Sequence, residues 1–475
     1  MTTSRRTLLA NGLSGAATLG GVSVGAPLLA KSGGKGRRPN VLFILVDDLG
    51  YADPGCYGSR HINTPHIDRL AAQGVKMLDA YANSPVCSPT RLALMTGRYN
   101  VAFRTGLVEP FSAGPWGDSA IPDGYPTLPK MMRKIGYRTS LIGKWHLGDV
   151  PRASPLEHGY DEFFGFLHGG IDYFTHEYLG QHDLRRGEHP VRETGYMTDL
   201  LADEAIAALD RHSKSDDPFF LSLHFNAPHW PWEGPEDAEL GSHGAHHDGG
   251  SLKVFATMVE SLDANIGRVM KTLDDLGLSD DTLVIFTSDN GGERFSDTWP
   301  FRGHKGYLLE GGIRVPSIVR FPGRIRAGTS SAQMAATMDW YPTILDAVGG
   351  HPPPGQVLDG ISLMPALMTE KTVPRALFWK FQGHVQRAVR AGNWKFYRLE
   401  ENEFLYDLSV DTLERANRAS AEPEIVAALK QQWEEWNNTM VSDESIPGFC
   451  ERPADQALAM PHRPVSNCKP LRPLL

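Results

Sequence analysis

The chain is poor in cysteine and lacks several patterns that define whole classes of protein. Only four of its 475 residues are cysteines, which excludes a disulfide-rich scaffold. Neither internal repeats nor low-complexity tracts occur, so solenoids and fibrous arrays are excluded as well. The formal charge is -9, and no basic stripe with interleaved aromatics is present, so no nucleic-acid partner is expected. With 41% hydrophobic residues, the chain can bury a large core.

The N-terminus also lacks an apolar run long enough for a stable membrane anchor. Five glycines up to Gly25 interrupt its apolar stretch. The pair Arg5-Arg6 before this stretch is typical of a twin-arginine export signal. We therefore expect residues 1–30 to be a signal peptide, residues 31–38 to be a flexible linker, and the twin-arginine export machinery to be a partner. The protein would then be periplasmic or secreted; a retained N-terminal anchor or a cytoplasmic tail is the alternative.

A cysteine in a short Pro-containing segment precedes an apolar helical pattern. The segment Cys87-Ser88-Pro89-Thr90-Arg91 predicts a helix start, with Ser88 as N-cap and Pro89 at the first helical position. Backbone N–H groups and Arg91 would then face whatever lies over residue 87, an arrangement that favours an anion. A buried structural cysteine beside a capped helix is the alternative.

Two apolar segments end in side chains that carry oxygen. Residues 40–46 and 283–288 have the continuous apolar pattern of buried parallel strands, which deliver side chains at one edge of a sheet. The side chains that follow them are Asp47, Asp48, Asp289 and Asn290. Because this set offers only oxygen ligands, it predicts a hard cation such as calcium or magnesium rather than zinc or copper. For one such pair alone, a solvated turn or a helix cap is the alternative.

Basic side chains follow other short strands, in turns bounded by glycine or proline. They are Lys144, His146, His229 and Lys305. Any one of them alone is more often a surface charge or a satisfied core group. His224 and His304 lie close by in sequence, and we expect them to be neighbours of the site rather than catalysts.

Segments 87–91 and 136–148 resemble the two signatures of the type I sulfatases, and further motifs follow in that family's order between about residues 39 and 440. The resemblance implies that a maturation enzyme oxidises Cys87 to Cα-formylglycine. It also implies one bound calcium ion per chain, held by the following residues: Asp47, Asp48, Cys87, Asp289 and Asn290.

The resemblance further implies a role for each basic residue. Lys144, His229 and Lys305 would bind the sulfate, and Arg91 would orient residue 87. One hydroxyl of the formylglycine hydrate would attack sulfur with Asp289 as base, and His229 or Lys305 would protonate the leaving alcohol. His146 would deprotonate the other hydroxyl, so that sulfate leaves as the aldehyde forms again.

The pattern of short apolar runs alternating with helical periodicity predicts an α/β fold. The resemblance implies a large mixed β-sheet flanked by helices, as in the alkaline phosphatase superfamily, and a smaller C-terminal domain of antiparallel sheet plus helix. We predict a catalytic domain over 39–370, a C-terminal subdomain over 371–440 and a Pro-rich tail over 441–475. The last two cysteines, Cys450 and Cys468, are close enough in that tail for a disulfide in an oxidising compartment.

These observations predict a sulfuric ester hydrolase that acts on aryl or carbohydrate sulfates. A phosphonate or phosphate monoester hydrolase of the same superfamily is one alternative, and a noncatalytic protein that binds sulfated glycans is another. Segment 163–176 resembles the leaving-group side of arylsulfatases and N-acetylgalactosamine sulfatases. Within it, His168 and Asp172 are candidates for binding a sugar.

Overall fold

The computed structural model describes residues 38–107, 120–238, 249–382 and 385–442. The predicted signal peptide, and the tail region with Cys450 and Cys468, lie outside the described residues. The strands are β1 (Asn40–Val46), β2 (Val75–Met77), β3 (Ala80–Tyr81), β4 (Arg138–Lys144), β5 (Glu162–Phe166), β6 (Glu177–Tyr178), β7 (Gln181–His182), β8 (Arg185–Arg186), β9 (His189–Pro190), β10 (Phe219–His224), β11 (Thr282–Ser288), β12 (Ser317–Arg320), β13 (Thr329–Ser331), β14 (Ala335–Ala336), β15 (Ala376–Phe381), β16 (Gln386–Ala391), β17 (Trp394–Leu399) and β18 (Asn402–Asp407). The α-helices are α1 (Pro65–Ala72), α2 (Cys87–Thr96), α3 (Leu128–Lys134), α4 (Met197–Ser213), α5 (Leu252–Asp275), α6 (Glu310–Ile313), α7 (Trp340–Ala347), α8 (Met364–Thr369) and α9 (Pro423–Asn437).

Ten strands form one mixed sheet in the order β13-β2-β12-β11-β1-β10-β4-β5-β8-β9. Strands β11, β1, β10, β4 and β5 pair in parallel, whereas β12 runs antiparallel to β11. Because parallel strands end at the same edge, the segments after β1, β4, β10 and β11 meet there. The large mixed sheet that the sequence predicted is confirmed.

Helices cover both faces of this sheet, and β1 shows why. Leu42, Ile44 and Val46 point to the face that α1, α4 and α5 cover. Alternate residues such as Val41 and Phe43 point to the opposite face, against α2, α3, α7 and α8. A strand buried on both faces needs apolar residues at every position, which is why β1 lacks the polar alternation of a surface strand.

Strands β15–β18 form a separate antiparallel sheet on which α9 packs. The smaller C-terminal sheet with one helix is therefore confirmed. The sequence did not predict β18, in which the acids Glu403 and Asp407 flank only three apolar residues. Leu377 and Trp379 of β15 share a buried core with Tyr81 and Ile313, so the small sheet packs directly against segments attached to the large one.

Buried ion pairs add to this contact. We call the following residues the sheet-bridging network: Asp79, Glu310, Arg314, Arg390, Lys395 and Glu414. Lys395 Nζ lies 2.8 Å from Glu310 Oε1 and 2.9 Å from Glu414 Oε1, and all three side chains are fully buried. Arg390 Nη2 lies 2.8 Å from Asp79 Oδ2. The network thus ties the C-terminal sheet to α6, which begins five residues after Lys305.

Candidate active site

The predicted acids come together at the carboxyl edge of the large sheet. Val46 of β1 pairs with Ser288 of β11, so Asp47 and Asp289 leave adjacent strands at the same level. The backbone N–H of Asp48 donates to Asp289 Oδ1 at 3.3 Å, and Asn290 Nδ2 donates to Asp48 Oδ1 at 2.7 Å. None of the four side chains is more than 2% exposed. Four polar side chains that are buried from water require hydrogen-bond or ionic partners.

Cys87 is the first residue of α2, and Val86 is the N-cap. The predicted helix start is therefore wrong, because Ser88 and Pro89 lie inside the first turn. Proline is tolerated there because the first N–H groups of a helix have no intrahelical partner. The Cys87 side chain is buried, and its sulfur lies within 4.8 Å of ligand atoms of Asp47, Asp48 and His229. The helix N-terminus therefore faces the acids from the opposite side.

Each acid is paired with a cation. Lys144 Nζ lies 2.5 Å from Asp47 Oδ2. Lys305 Nζ lies 2.7 Å from Asp48 Oδ2, and Arg91 Nη2 lies 2.8 Å from Asp289 Oδ2. We call these six residues the active-site cluster. Equal numbers of opposite charges make their burial tolerable.

These contacts set the ionisation of the acids. Burial raises the pKa of Asp48, but Lys305, His229 and Lys144 together outweigh burial and hold that pKa below the usual range. Burial and the neighbouring Asp47 raise the pKa of Asp289 to about 7, against the effect of Arg91. A metal ion beside Asp289 would favour its ionised form and lower this pKa.

Of the histidines near the site, His229 is held in a defined protonation state. His229 Nδ1 lies 2.6 Å from the carbonyl oxygen of Trp230, which can only accept, so Nδ1 carries the proton. Burial and Lys305 lower the pKa of His229 to about 3, which leaves Nε2 unprotonated, 3.7 Å from Asp48 Oδ2. His224 lies beside Arg91, with its Nδ1 at 3.5 Å from Nη1, as a neighbour of the site. His304 is exposed.

His146 follows Lys144 by two residues and has a left-handed backbone, with φ of 59°. The loop that contains Gly169 and Gly170 packs against the imidazoles of His146 and His229. A Cβ atom at Gly169 would lie 2.7 Å from His146 Cε1, and one at Gly170 would lie 3.4 Å from His229 Cε1. The imidazole of His146 therefore lies where only a glycine backbone leaves it room.

The residues at this edge fit a metal ion. Asp47, Asp48, Cys87 and His229 form a group whose ligand atoms lie within 4.8 Å of one another. Two buried oxygens, Asp47 Oδ1 and Asn290 Oδ1, have no hydrogen-bond partner. Unpaired buried acceptors of this kind suit a hard cation. His229 belongs to this group, whereas the sequence had suggested Asp289, whose Oδ2 accepts from Arg91.

The two residues predicted to bind a sugar have different surroundings. His168 Nδ1 lies 2.7 Å from Asp183 Oδ2, its ring stacks on Tyr178, and about a third of its side chain is exposed. Asp172 is 1% exposed, and its Oδ1 accepts from the N–H groups of Phe174 and Thr175. Their role in substrate binding stays a prediction.

Two acids that contact predicted site residues, Glu293 beside Lys305 and Asp183 beside His168, were not predicted from the sequence. Glu293 Oε2 lies 3.7 Å from Lys305 Nζ. It follows Asp289 by four residues, and an acid so close to a predicted ligand was the available signal. Asp183 holds His168 but lies fifteen residues away, between two-residue strands that give no pattern in the sequence.

Residues 39–350 match the family model described as sulfatase, and residues 302–439 match the model of the C-terminal part of N-sulphoglucosamine sulphohydrolase. The chain therefore belongs to the sulfatase family, as a type I sulfatase of the alkaline phosphatase superfamily, and is an enzyme that hydrolyses sulfate esters. The second match includes both Lys305 and the C-terminal sheet.

Individual relatives agree with this assignment. N-acetylgalactosamine-6-sulfatase of Canis lupus familiaris is 33% identical over 390 residues, which cover 76% of this chain and 72% of the relative. Steryl-sulfatase of Mus musculus is 32% identical, with 82% and 75% covered. The crystal structure of Ps i-CgsB in complex with k-i-k-neocarrahexaose superposes with a TM-score of 0.79 at 30% identity, covering 90% of this chain and 98% of that one. A phosphonate monoester hydrolase of Agrobacterium radiobacter, at 21% identity and TM-score 0.62, shares the fold.

Within the described residues, no helix is both long enough and apolar enough to cross a bilayer.

Proposed function

We propose that the protein hydrolyses sulfate monoesters of saccharides, using Cα-formylglycine formed from Cys87 and a bound calcium ion. The observation that carries the proposal is the place of Cys87, at a helix N-terminus facing three acids paired with three cations. A divalent ion added to a balanced cluster leaves an excess of positive charge, which would attract an anionic ester.

The environment of Cys87 supports its modification. Burial raises the pKa of the thiol, against the effect of Lys144 and Lys305. A thiol that stays protonated at neutral pH is a poor nucleophile. Formylglycine supplies what the thiol lacks: its hydrate carries two hydroxyls on one carbon, one to attack sulfur and one whose loss of a proton expels sulfate.

Calcium would be held by Asp47, Asp48, Asp289 and Asn290 together with residue 87, and it would offset the negative charge of the sulfate oxygens. The unpaired oxygens of Asp47 and Asn290 support this set. His229 lies within the same group of candidate ligand atoms. The proposal assigns His229 to the sulfate rather than to the calcium ion.

The remaining residues bind and move protons. Asp289 accepts the proton of the attacking hydroxyl. Lys305, whose pKa burial lowers but Asp48 and its other anionic neighbours raise well above normal, carries a proton at Nζ that can stabilise the leaving oxygen. His229, whose Nε2 is unprotonated, must first take up a proton at Nε2 before it can donate to a sulfate oxygen or to the leaving oxygen. Lys144 binds sulfate, Arg91 orients residue 87, and His146 removes the second proton.

A sulfated glycan is the proposed substrate class. The support is that N-acetylgalactosamine-6-sulfatase matches 76% of this chain, and that the similar structure of Ps i-CgsB was solved in complex with k-i-k-neocarrahexaose. His168, stacked on Tyr178 at the partly exposed loop after β5, is proposed to contact the sugar. The formylglycine-generating enzyme and the twin-arginine machinery are the proposed partners, with export to the periplasm or medium.

The experiment is to produce the protein with and without a formylglycine-generating enzyme and analyse the tryptic peptide that spans residue 87. We expect an aldehyde at residue 87 only in the first preparation, and hydrolysis of 4-nitrophenyl sulfate only there. An active preparation with an unmodified thiol throughout would falsify the proposed chemistry. A tenfold or greater preference for the matching phosphonate or phosphate would instead favour the alternative hydrolase.

A further inference from the structure

A buried histidine beside the active site has no part in the proposed mechanism. His224 is the last residue of β10, and it is 2% exposed. Its Nδ1 lies 3.2 Å from the carbonyl oxygen of Lys144 and 3.5 Å from Arg91 Nη1. Arg91 Nη1 donates to the same carbonyl oxygen at 3.0 Å. Because a carbonyl oxygen can only accept, we assign the proton of this imidazole to Nδ1.

The end of the pairing between β4 and β10 explains why side chains meet at this carbonyl group. In the last pair, Gly143 lies opposite His224. The two strands approach so closely there that a Cβ atom at residue 143 would lie 1.8 Å from the carbonyl oxygen of His224. The next N–H of the chain, that of Phe225, donates to Leu45 of β1 at 2.9 Å. The carbonyl group of Lys144, one residue beyond the last pair, thus takes donors from two side chains.

The His224 ring contributes more than volume to the core. It packs against the ring of Phe43, with ring centres 6.3 Å apart. Its buried Nε2 has no hydrogen-bond partner within the part of the chain that the structure describes. A buried nitrogen without a partner destabilises the folded state, and an apolar side chain would avoid that penalty. The feature that the imidazole adds here is the donor at Nδ1.

The charge state of the ring is compatible with its place beside a guanidinium. Burial and the charge of Arg91 lower the pKa of His224 well below its usual range, although the carbonyl group of Lys144 raises it. The ring is therefore neutral at neutral pH and does not repel Arg91.

The two groups that His224 contacts belong to the active-site cluster. Lys144 Nζ lies 2.5 Å from Asp47 Oδ2. Arg91 donates to Asp289 Oδ2 from Nε at 3.1 Å and from Nη2 at 2.8 Å. Neither Lys144 nor Arg91 is more than 1% exposed, and close packing ties the position of each to its neighbours. Two donors on one carbonyl oxygen therefore fix the backbone from which Lys144 extends, together with one edge of the Arg91 guanidinium.

We propose that His224 is a positioning residue for sulfate ester hydrolysis, which donates from Nδ1 to the carbonyl oxygen of Lys144 beside Arg91. It acts through these two residues and not on the substrate. The inference rests on the sulfate-binding role proposed for Lys144. A displacement of about 1 Å in such a group is enough to slow a reaction about 10²-fold.

The test compares two side chains of nearly the same shape at residue 224. Asparagine carries its amide nitrogen close to the place of Nδ1 and can donate there, whereas leucine has a similar branched outline and no donor. His212 supplies the matched control, because it is buried and burial lowers its pKa to about 4. Its Nε2 lies 3.2 Å from Ser140 Oγ, and its ring stacks on Phe219 at the opposite end of β10.

We expect His224→Leu to lower kcat for 4-nitrophenyl sulfate about 10- to 100-fold, and His224→Asn to stay within about threefold of the wild type. His212→Leu should lower the melting temperature, because Ser140 loses its partner, and leave kcat per folded molecule within about twofold. If His224→Leu does not fold, His224→Gln replaces it, since its amide lies at the place of Nε2 and the same loss is expected. Equal kcat values with and without the donor at residue 224 would overturn the proposal.

Binding of inorganic sulfate in the presence of calcium, measured by calorimetry, separates this inference from the proposed function. His224→Leu should bind sulfate about tenfold more weakly than the wild type, and His224→Asn should bind it about equally, because Lys144 Nζ is displaced only in the first variant. If the wild type hydrolyses no sulfate ester, this affinity decides. A loss confined to His224→Leu would then support the positioning role although the proposed function fails, and equal affinities would overturn both.

Discussion

The active-site cluster and the sheet-bridging network contain the same kinds of charged side chain, yet only the cluster is arranged for catalysis. Each has three acids and three cations, nearly all buried. In the network, every carboxylate oxygen lies within 3.0 Å of a cation or of a backbone N–H. In the cluster, Asp47 Oδ2 lies 2.5 Å from Lys144 Nζ, but Asp47 Oδ1 lies 3.9 Å from Arg91 and has no hydrogen-bond partner. Cys87 and His229 also point into the cluster.

The difference shows that charge balance alone does not identify a site. A balanced ion group costs desolvation energy wherever it is buried, and it can serve simply to join two parts of a fold. What distinguishes the active-site cluster is a carboxylate oxygen with no cation within 3.0 Å, a nucleophile precursor and a helix N-terminus that converge on one point. Substitutions at matched residues of the two groups test this distinction.

Lys144→Met and Lys395→Met remove equally buried lysines, one from each group. We expect Lys144→Met to lower kcat/KM about 10³-fold, because a charge that stabilises the transition state is lost. Lys395→Met should lower the free energy of unfolding by about 3–5 kcal/mol, because Glu310 and Glu414 lose their shared cation. Its kcat/KM per folded molecule should stay within about threefold of the wild type. Steady-state kinetics and urea denaturation measure both effects, and a 10³-fold loss in each variant would erase the distinction.

Asp47→Asn and Glu310→Gln test which group binds the metal. Calcium at about 100 times its Kd should raise the free energy of unfolding of the wild type by about 2.7 kcal/mol. Asp47→Asn should lose most of this gain, whereas Glu310→Gln should keep it from a lower baseline. Denaturation with and without calcium measures the gain. Stoichiometric zinc in the native protein, with calcium absent, would contradict the metal assignment.

Gly169→Ala and Gly170→Ala test whether the position of the His146 imidazole limits the activity of the site. A methyl group at residue 169 would displace the His146 imidazole, since it would lie 2.7 Å from Cε1. We expect kcat to fall about 10- to 100-fold with little change in melting temperature. Gly170→Ala, with 3.4 Å to His229, is the control and should remain near wild type. Equal activities of the two variants would mean that the position of His146 is not limiting.

The smallest expected effect is a pH dependence in the sheet-bridging network. Burial raises the pKa of Glu414 from 4.5 to about 7, although Lys395 lowers it. Between these values the unfolded chain releases a proton that the folded protein keeps, so the contribution of Glu414 to stability is largest below about pH 4.5 and is lost as the pH rises through about 7. The slope contributed is at most about 1.4 kcal/mol per pH unit. Glu414→Gln should flatten the wild-type stability curve across this range, as measured by urea denaturation, and an unchanged slope would contradict the raised pKa.

Much of the cluster could be predicted because strand ends are visible in a sequence. The apolar runs before Asp47 and Asp289 identified two buried strands, and parallel pairing then required their carboxyl ends to meet. The pairing of Lys305 with Asp48 could not be predicted in this way. It depends on where a loop folds, and no pattern in the sequence of residues 292–309 sets that position.

The sequence alone determined the sulfatase signature at Cys87, the acids at two strand ends and the α/β class, since each depends on local order along the chain. The tertiary structure decided which acid pairs with which cation, that Asp47 and Asn290 keep unpaired oxygens, and that the backbone of Gly169 packs against His146. The physical reason is that a residue's type and neighbours are local. Burial, distance and the balance of charge depend on segments far apart in the chain, brought together only by packing.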